Sequence, residues 1–167
     1  MYDKLTKSDI KKMEEEIEYR KLVVRPKAVE DVREAAAQGD RSENFEYYAA
    51  KRANNKNNSR IRYLEKMINT STVIEDTSKD DEVGINTVVT LFFEEDNEEE
   101  DYKIVTGIRS NALNGCASID SPLGKAVLHK KVGDRVAVKV NDNYSYYVVI
   151  KNIKKNVGDD DDTISSY

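Results

Sequence analysis

Residues 8–38 contain no glycine and a single proline, and most of their side chains are strong helix formers. Apolar residues recur along this run with the three- and four-residue spacing of one helix face. They are Ile10, Met13, Ile17, Val24, Ala28, Val32 and Ala35. The spacing shifts by one residue near Pro26, and a proline inside a helix removes a backbone hydrogen bond. We therefore expect one continuous helix with a mild bend at that point.

A second helix is predicted from about Glu43 to Ile68. Its apolar face is assigned to Phe45, Tyr48, Ile61, Leu64 and Ile68. The segment Asn54–Asn58 is rich in asparagine, a weak helix former, but periodicity resumes at Ile61, so we interpret it as a weak zone of the same helix. The connection is too short for anything other than an antiparallel hairpin. At about 1.5 Å per residue, such an arm would be roughly 45 Å long.

Residues 39–47 would form the tip of this hairpin, which reverses at Gly39. Asp40 and Glu43 lie three residues apart, which is the spacing of a capping box at a helix start. In that arrangement Asp40 accepts a hydrogen bond from the Glu43 backbone N–H. A capping box fully explains both acids, and the residues alone favour it over a catalytic role. Asn44 and Tyr47 would then be ordinary residues of a first helical turn.

Three basic residues, Arg52, Lys56 and Arg60, follow one another at intervals of four and so share a helix face. Such a face is most simply a solvated surface. The alternative is a basic stripe that guides a phosphate backbone.

Beyond Thr70 the sequence becomes rich in β-branched and aromatic residues, which favour strands. Strands are predicted at Val83–Phe93, Tyr102–Thr106, Arg135–Val140 and Tyr146–Ile150, with an acidic turn at Glu94–Asp101. Ser121 and Pro122 indicate the N-cap and first position of a short helix between the two strand pairs. This unit is a small α+β domain.

The sequence thus divides into a helical coiled coil at residues 1–72, an α+β domain at 73–156 and an acidic, disordered tail at 157–167. The first 70 residues are slightly basic and the remainder is acidic, which argues against free-standing DNA binding. The lone Cys116 is expected to be buried, and His129 is expected at the surface. No run approaches the roughly 18 apolar residues that cross a bilayer, so we predict a soluble, cytoplasmic protein with no membrane partner.

Three strings in this sequence resemble the bacterial Gre transcript-cleavage factors. Residues 38–51 (QGDRSENFEYYAAK) are similar to the tip signature of that family, and residues 59–65 (SRIRYLE) to its descending helix. Residues 121–134 (SPLGKAVLHKKVGD) are similar to the signature of its C-terminal domain. The matches occur in the family's order, and the best fit is to the GreA branch.

The resemblance implies a hairpin that enters the secondary channel of RNA polymerase and approaches the nascent RNA 3′ end when the enzyme has backtracked. Asp40 and Glu43 match the tip carboxylates that help hold a Mg²⁺ ion, so the polymerase, and not this chain, hydrolyses the RNA. The free protein would carry no cofactor and no small-molecule substrate, and would be a monomer.

Further roles follow from the same resemblance. Ser42, Asn44, Glu46 and Tyr47 would support the tip, and Arg52, Lys56 and Arg60 would face the RNA or the polymerase. An FKBP-like C-terminal domain would bind the polymerase through the residues of its signature. These are Ser121, Pro122, Leu123, Gly124 and Lys125.

Two alternatives remain at this point. One is a regulator that occupies the polymerase channel without promoting cleavage. The other is a prolyl isomerase with a coiled-coil appendage, although the isomerase pocket normally has a tryptophan floor and this chain contains no tryptophan.

Overall fold

The computed structural model describes residues 2–39, 44–155, 157–158 and 164–165. Its contacts divide the chain into two compact units, one formed by Ile10–Ser71 and the other by Tyr2–Asp9 with the chain from Thr72 onward. A helical region followed by a sheet-containing domain confirms the predicted α+β class. The sequence assigned residues 1–72 to the helical part, whereas the contacts group Tyr2–Asp9 with the second unit.

Two interactions explain why the segment Tyr2–Asp9 belongs to the second unit. Strand β1 (Lys4–Leu5) pairs in parallel with β2 (Thr72–Val73). The fully buried carboxylate of Asp9 accepts hydrogen bonds from Arg109 Nε and, at 2.6 Å, from Thr106 Oγ1. Neither partner could be found from local spacing, because both are distant in the sequence.

The first unit is a helical hairpin. Its ascending arm comprises α1 (Lys7–Tyr19) from Ile10 onward, a π-helical turn (Arg20–Val24) and α2 (Arg25–Ala37), and its descending arm is α3 (Phe45–Thr70). The predicted apolar stripe of the ascending arm is confirmed, since none of its seven residues is exposed and Met13 and Ala35 are buried.

The π-helical turn accounts for the shift of the stripe near Pro26. The Arg25 N–H donates to the carbonyl oxygen of Arg20, five residues earlier, so this turn holds one residue more than an α-helical turn. Pro26 has no N–H to donate and occupies the start of α2, where none is needed. The ascending arm therefore continues past the proline.

Helix α3 is continuous through its asparagine-rich middle, as predicted. Ile61 and Leu64 are buried, but Phe45 and Tyr48 are 85% and 41% exposed, so their assignment to the inner face is wrong. The inner positions instead follow a three- and four-residue alternation that extends from Ile61 back towards the tip. They are Tyr47, Ala50, Asn54, Asn57, Ile61 and Leu64, all buried or half-buried. Asn54 and Asn57 therefore lie in the seam between the arms, where sequence reasoning did not place them.

The second unit is built on a five-stranded sheet of order β5-β4-β3-β7-β6. The strands are β3 (Thr87–Phe93), β4 (Glu98–Val105), β5 (Cys116–Ser118), β6 (Arg135–Asn141) and β7 (Tyr144–Lys154). Both predicted hairpins are confirmed as antiparallel pairs. The acidic turn is shorter than expected because β4 already begins at Glu98. Strand β5, which pairs in parallel with β4, was missed because it is only three residues long.

Helix α4 (Pro122–Val127) packs on one face of this sheet over an aliphatic core. Ser121 is its N-cap and Pro122 its first residue, as predicted, and the Ser121 Oγ accepts from the Gly124 N–H at 3.0 Å. Gly124 is required by a close approach, since a Cβ at this position would lie 1.9 Å from the backbone oxygen of Ser118. The absence of a side chain therefore lets α4 sit against the end of β5.

Substitution Gly124→Ala should destabilise the protein by about 2–4 kcal/mol, because backbone atoms of Ser118 cannot yield as a flexible side chain can. Urea unfolding followed by circular dichroism measures the loss. Gly158→Ala is the matched control, since a Cβ there would meet nothing within 4 Å. Equal stability of the two variants would contradict the packing argument.

Candidate functional site

The tip of the hairpin is held by one side chain that bonds to both arms. Asn44 is the N-cap of α3, and its Oδ1 accepts from the Tyr47 N–H at 3.0 Å. Its Nδ2 donates to the carbonyl oxygen of Ala35, near the end of α2, at 2.6 Å. Gly39 follows α2 with φ +143°, a conformation that favours glycine. Asn44 thus satisfies a backbone group of each helix end and ties the arms together.

The two predicted catalytic residues, Asp40 and Glu43, and the predicted support residue Ser42 lie outside the described residues. The observed N-cap is Asn44, so the prediction that Asp40 caps this helix is wrong. Of the other predicted support residues, Glu46 is exposed in the first turn of α3. Tyr47 is half-buried in the seam.

Midway along the hairpin, the seam is polar, and four of its side chains are joined by hydrogen bonds. The Glu16 carboxylate accepts from Arg20 Nε at 2.8 Å and from Arg60 Nε at 2.9 Å, and the Arg60 side chain is only 8% exposed. Arg20 Nη1 donates to the Asn57 Oδ1 at 3.0 Å, and the Asn57 amide donates back to the carbonyl oxygen of Arg20 at 3.3 Å. We call Glu16, Arg20, Asn57 and Arg60 the seam cluster.

The electrostatics of the seam cluster follow from its burial and its charges. Burial alone would raise the pKa of Glu16, but hydrogen bonds from Arg60 and Arg20, with their positive charges, outweigh it and leave the pKa below its ordinary value. Glu16 is therefore ionised and paired when the hairpin is folded. Sequence reasoning missed this cluster, although the heptad phase of Asn57 and Ile61 was a signal that could have revealed it.

The predicted basic stripe is only partly present. Arg52 and Lys56 are exposed on α3, but Arg60 points into the seam and is paired with Glu16. Its inclusion in an exposed, RNA-facing stripe is therefore wrong. The physical reason is that a half-buried carboxylate on the facing arm supplies the charge that lets a guanidinium leave water.

Most of the signature residues at the start of α4 stabilise the fold of the second unit. Ser121 caps the helix, Leu123 packs against the core and Gly124 is buried. Pro122 and Lys125 are exposed and remain available for a partner.

Within the part of the chain that the structure describes, no three acidic, histidine or cysteine side chains converge to hold a metal ion. Cys116 is buried and the His129 side chain is 46% exposed, as predicted. None of the described helices is both long and apolar enough to cross a bilayer.

Comparison with known proteins decides the family. Residues 4–73 match the family model described as "Transcription elongation factor, N-terminal". Residues 77–155 match the one described as "Transcription elongation factor, GreA/GreB, C-term". The chain belongs to the GreA/GreB family of transcription elongation factors. It is therefore a transcription elongation factor, as the resemblance implied.

Curated relatives within the GreA/GreB family extend over most of this chain. A transcription elongation factor GreA from Caldanaerobacter subterraneus subsp. tengcongensis is 44% identical over 137 residues, covering 81% of this chain and 87% of the relative. A GreA from Staphylococcus saprophyticus subsp. saprophyticus is 37% identical over 150 residues, covering 90% and 95%. A solved structure of the transcription factor Gfh1 aligns over 92% of this chain and 97% of its own, with 23% identity and a TM-score of 0.44. That distant likeness carries no functional argument.

Substitution of Asn44 should loosen the tip. Asn44→Ala removes both hydrogen bonds and should weaken the start of α3 by about 1–2 kcal/mol, so the Tyr47 amide should exchange its hydrogen roughly 5- to 30-fold faster. Asn44→Asp keeps the cap but has no donor for the Ala35 carbonyl, so it should protect Tyr47 while still freeing the end of α2. Asn55→Ala, at an exposed position of the same helix, is the control. Unchanged exchange in Asn44→Ala would refute the bridging role.

Substitution Glu16→Gln should destabilise the hairpin by roughly 1–3 kcal/mol at pH 7, because two guanidinium groups lose their counter-charge. The pKa of Glu16 is lowered on folding, so its contribution is fully present above its unfolded pKa and is lost as pH falls through the folded value. Thermal unfolding of wild type and variant should therefore converge in acid. Glu15→Gln, on the exposed side of α1, should match wild type at every pH. A difference between wild type and Glu16→Gln that persists undiminished in acid would contradict this account.

Proposed function

We propose that this protein binds RNA polymerase, inserts its helical hairpin into the secondary channel and stimulates Mg²⁺-dependent cleavage of the 3′ end of backtracked RNA. The polymerase carries out the hydrolysis, and this chain is not an enzyme by itself. It acts as a monomer in the cytoplasm, where elongating polymerase is found. Membership of the GreA/GreB family supports the polymerase partner.

The observation that carries this proposal is the identity of the helix cap at the tip. On sequence alone, Asp40 and Glu43 were most simply a capping box. Asn44 performs the capping of α3 and also bonds to the end of α2. Because α3 has its own cap in Asn44, a capping role for the two acids is not needed there, which supports a role for them in chemistry on a partner.

The donor chemistry of the tip acids fits Mg²⁺, which prefers carboxylate oxygens and retains several waters or substrate oxygens. Asp40 and Glu43 would hold the ion together with groups of the polymerase, since two carboxylates are too few to do so alone. When bound, the ion stabilises negative charge on the attacking and phosphoryl oxygens. The part of this chain is to carry the two carboxylates on a stiff arm: α3 has 26 residues, or roughly 39 Å of helix.

Other exposed residues have proposed roles in the complex. Arg52 and Lys56 would face the RNA or the polymerase, and Pro122 and Lys125 would contact the polymerase beside α4. Glu46 and Tyr47 would support the tip in the complex, and Ser42 would join them.

A stalled, backtracked elongation complex tests the proposal. Adding the protein with Mg²⁺ should release short 3′ RNA fragments. Asp40→Asn or Glu43→Gln should abolish this release while leaving polymerase binding nearly intact, because only the tip carboxylates are altered. Both the fragments and the bound protein are measured in the same samples.

Glu34→Gln is the matched control, because it removes an exposed carboxylate from the last turns of α2 without touching the tip acids. It should cleave like wild type. Cleavage that survives both tip substitutions would refute the tip mechanism. Binding to polymerase with no cleavage by wild type would instead identify a channel-blocking regulator.

A further inference from the structure

Four aromatic side chains gather on the inner face of the sheet, where strands β3, β4 and β7 reach their turns. Phe93 pairs across the sheet with the core residue Val148, and Tyr144 and Tyr146 alternate with Val148 along β7. Residues related in this way point to the same face. The Phe93 ring centre lies 6.0 Å from those of Tyr102 and Tyr146, and the Tyr144 and Tyr146 centres are 6.1 Å apart.

Four carboxylates surround these rings. Glu98 and Glu100 project from the same face of β4, and Glu95 and Asp96 come from the adjoining turn. Together with the aromatic side chains they line an open cavity of about 240 Å³. We call the four aromatic residues and four acids that line this cavity the acid–aromatic cup.

The acid–aromatic cup carries negative charge that the described chain does not neutralise. The Tyr102 hydroxyl donates to Glu100 at 2.8 Å and the Tyr144 hydroxyl donates to Glu95 at 2.7 Å. Burial and then the bond to Glu100 raise the pKa of Tyr102 to about 12, so this hydroxyl stays protonated as a donor. Across the described ranges, no lysine or arginine forms an ion pair with any of the four acids.

On the outer face of the same sheet, a similar pair of acidic and aromatic side chains contacts a cation of the same chain. There the guanidinium of Arg135 lies 3.7 Å from the centre of the Tyr147 ring, and its Nε is 2.7 Å from the Glu94 carboxylate. Glu94 and Tyr147 are the chain neighbours of Glu95 and Tyr146, which line the cup. The outer face therefore has acid, aromatic ring and cation, whereas the inner face has acids and rings without the cation.

We propose that the acid–aromatic cup binds an arginine side chain presented by a partner protein and, resting on the proposed function, that the partner is RNA polymerase. A planar guanidinium stacks on aromatic rings and bonds to two carboxylate oxygens at once, which matches the lining of the cavity better than a compact ammonium does. Phosphate groups of a nucleic acid are repelled by the same acids.

A small guanidinium compound tests the chemistry of the cup on the full-length free protein. Titration with ethylguanidinium should shift the aromatic NMR signals of the four cup rings saturably, and ethylammonium should do so more weakly. The double variant Glu98→Gln/Glu100→Gln should lose the saturable shift. Glu99→Gln, whose side chain lies between them on the outer face, should keep it. Absence of a saturable shift in wild type, or equal shifts in the double variant, would overturn the proposal.

Binding to RNA polymerase tests the identity of the partner. At low salt, Glu98→Gln/Glu100→Gln should weaken the affinity about tenfold, while Glu99→Gln should stay within about twofold, and added salt should reduce the difference. Normal polymerase binding by the double variant would refute the polymerase as the source of the arginine.

The two proposals fail separately. If the double variant binds polymerase as tightly as wild type and Asp40→Asn loses cleavage, the proposal that the cup binds polymerase is refuted. The proposed function of the tip is then unaffected. If wild type promotes no RNA cleavage, the proposed function is refuted. The ethylguanidinium titration would still test whether the cup binds a guanidinium group.

Discussion

The hairpin depends on the contact of one half-buried carboxylate, that of Glu16, with the guanidinium groups of Arg20 and Arg60. Sliding the two arms by a helical turn would leave a charge in the seam without its partner, which costs roughly 3–5 kcal/mol. Asn57 adds to this selectivity, because its amide bonds to both the side chain and the backbone of Arg20. Apolar seams tolerate slippage better than polar ones, so the seam cluster is what fixes the register of the arms.

The register of the two arms determines which hydrogen bonds Asn44 can make at the tip. Only when the arms are aligned in this way does Asn44 lie within reach of the Ala35 carbonyl while it caps α3. Asn44 is thus the N-cap of α3, a role that the spacing of Asp40 and Glu43 suggested for those acids. A polar contact in the middle of the hairpin thus aligns the two arms, and the cap at its end joins them through Asn44.

The sheet domain shows a comparable division between residues that build the fold and residues left for a partner. Gly124 and Ser121 are used to seat α4, which explains why a signature sequence contributes few exposed groups. Along the strands, neighbouring residues alternate between the two faces. On the outer face Glu94 and Tyr147 hold an arginine of the same chain. One residue further along, the inner face presents similar groups, and none of the described residues supplies a cation to them.

The sequence by itself determined the two helical arms, their antiparallel connection, both β-hairpins and the cap of α4, because each of these depends on local spacing or turn chemistry. It did not determine that Arg60 is buried, that Asn57 lies in the seam or that Phe45 is exposed. A basic residue and an asparagine are placed at the surface by default. On the facing arm, Glu16 reverses that preference for Arg60 and Arg20 reverses it for Asn57. Likewise, Asp9 joins the second unit through Arg109, a hundred residues away. Local patterns specify which elements form, but the partner of a polar side chain is decided only when the elements meet.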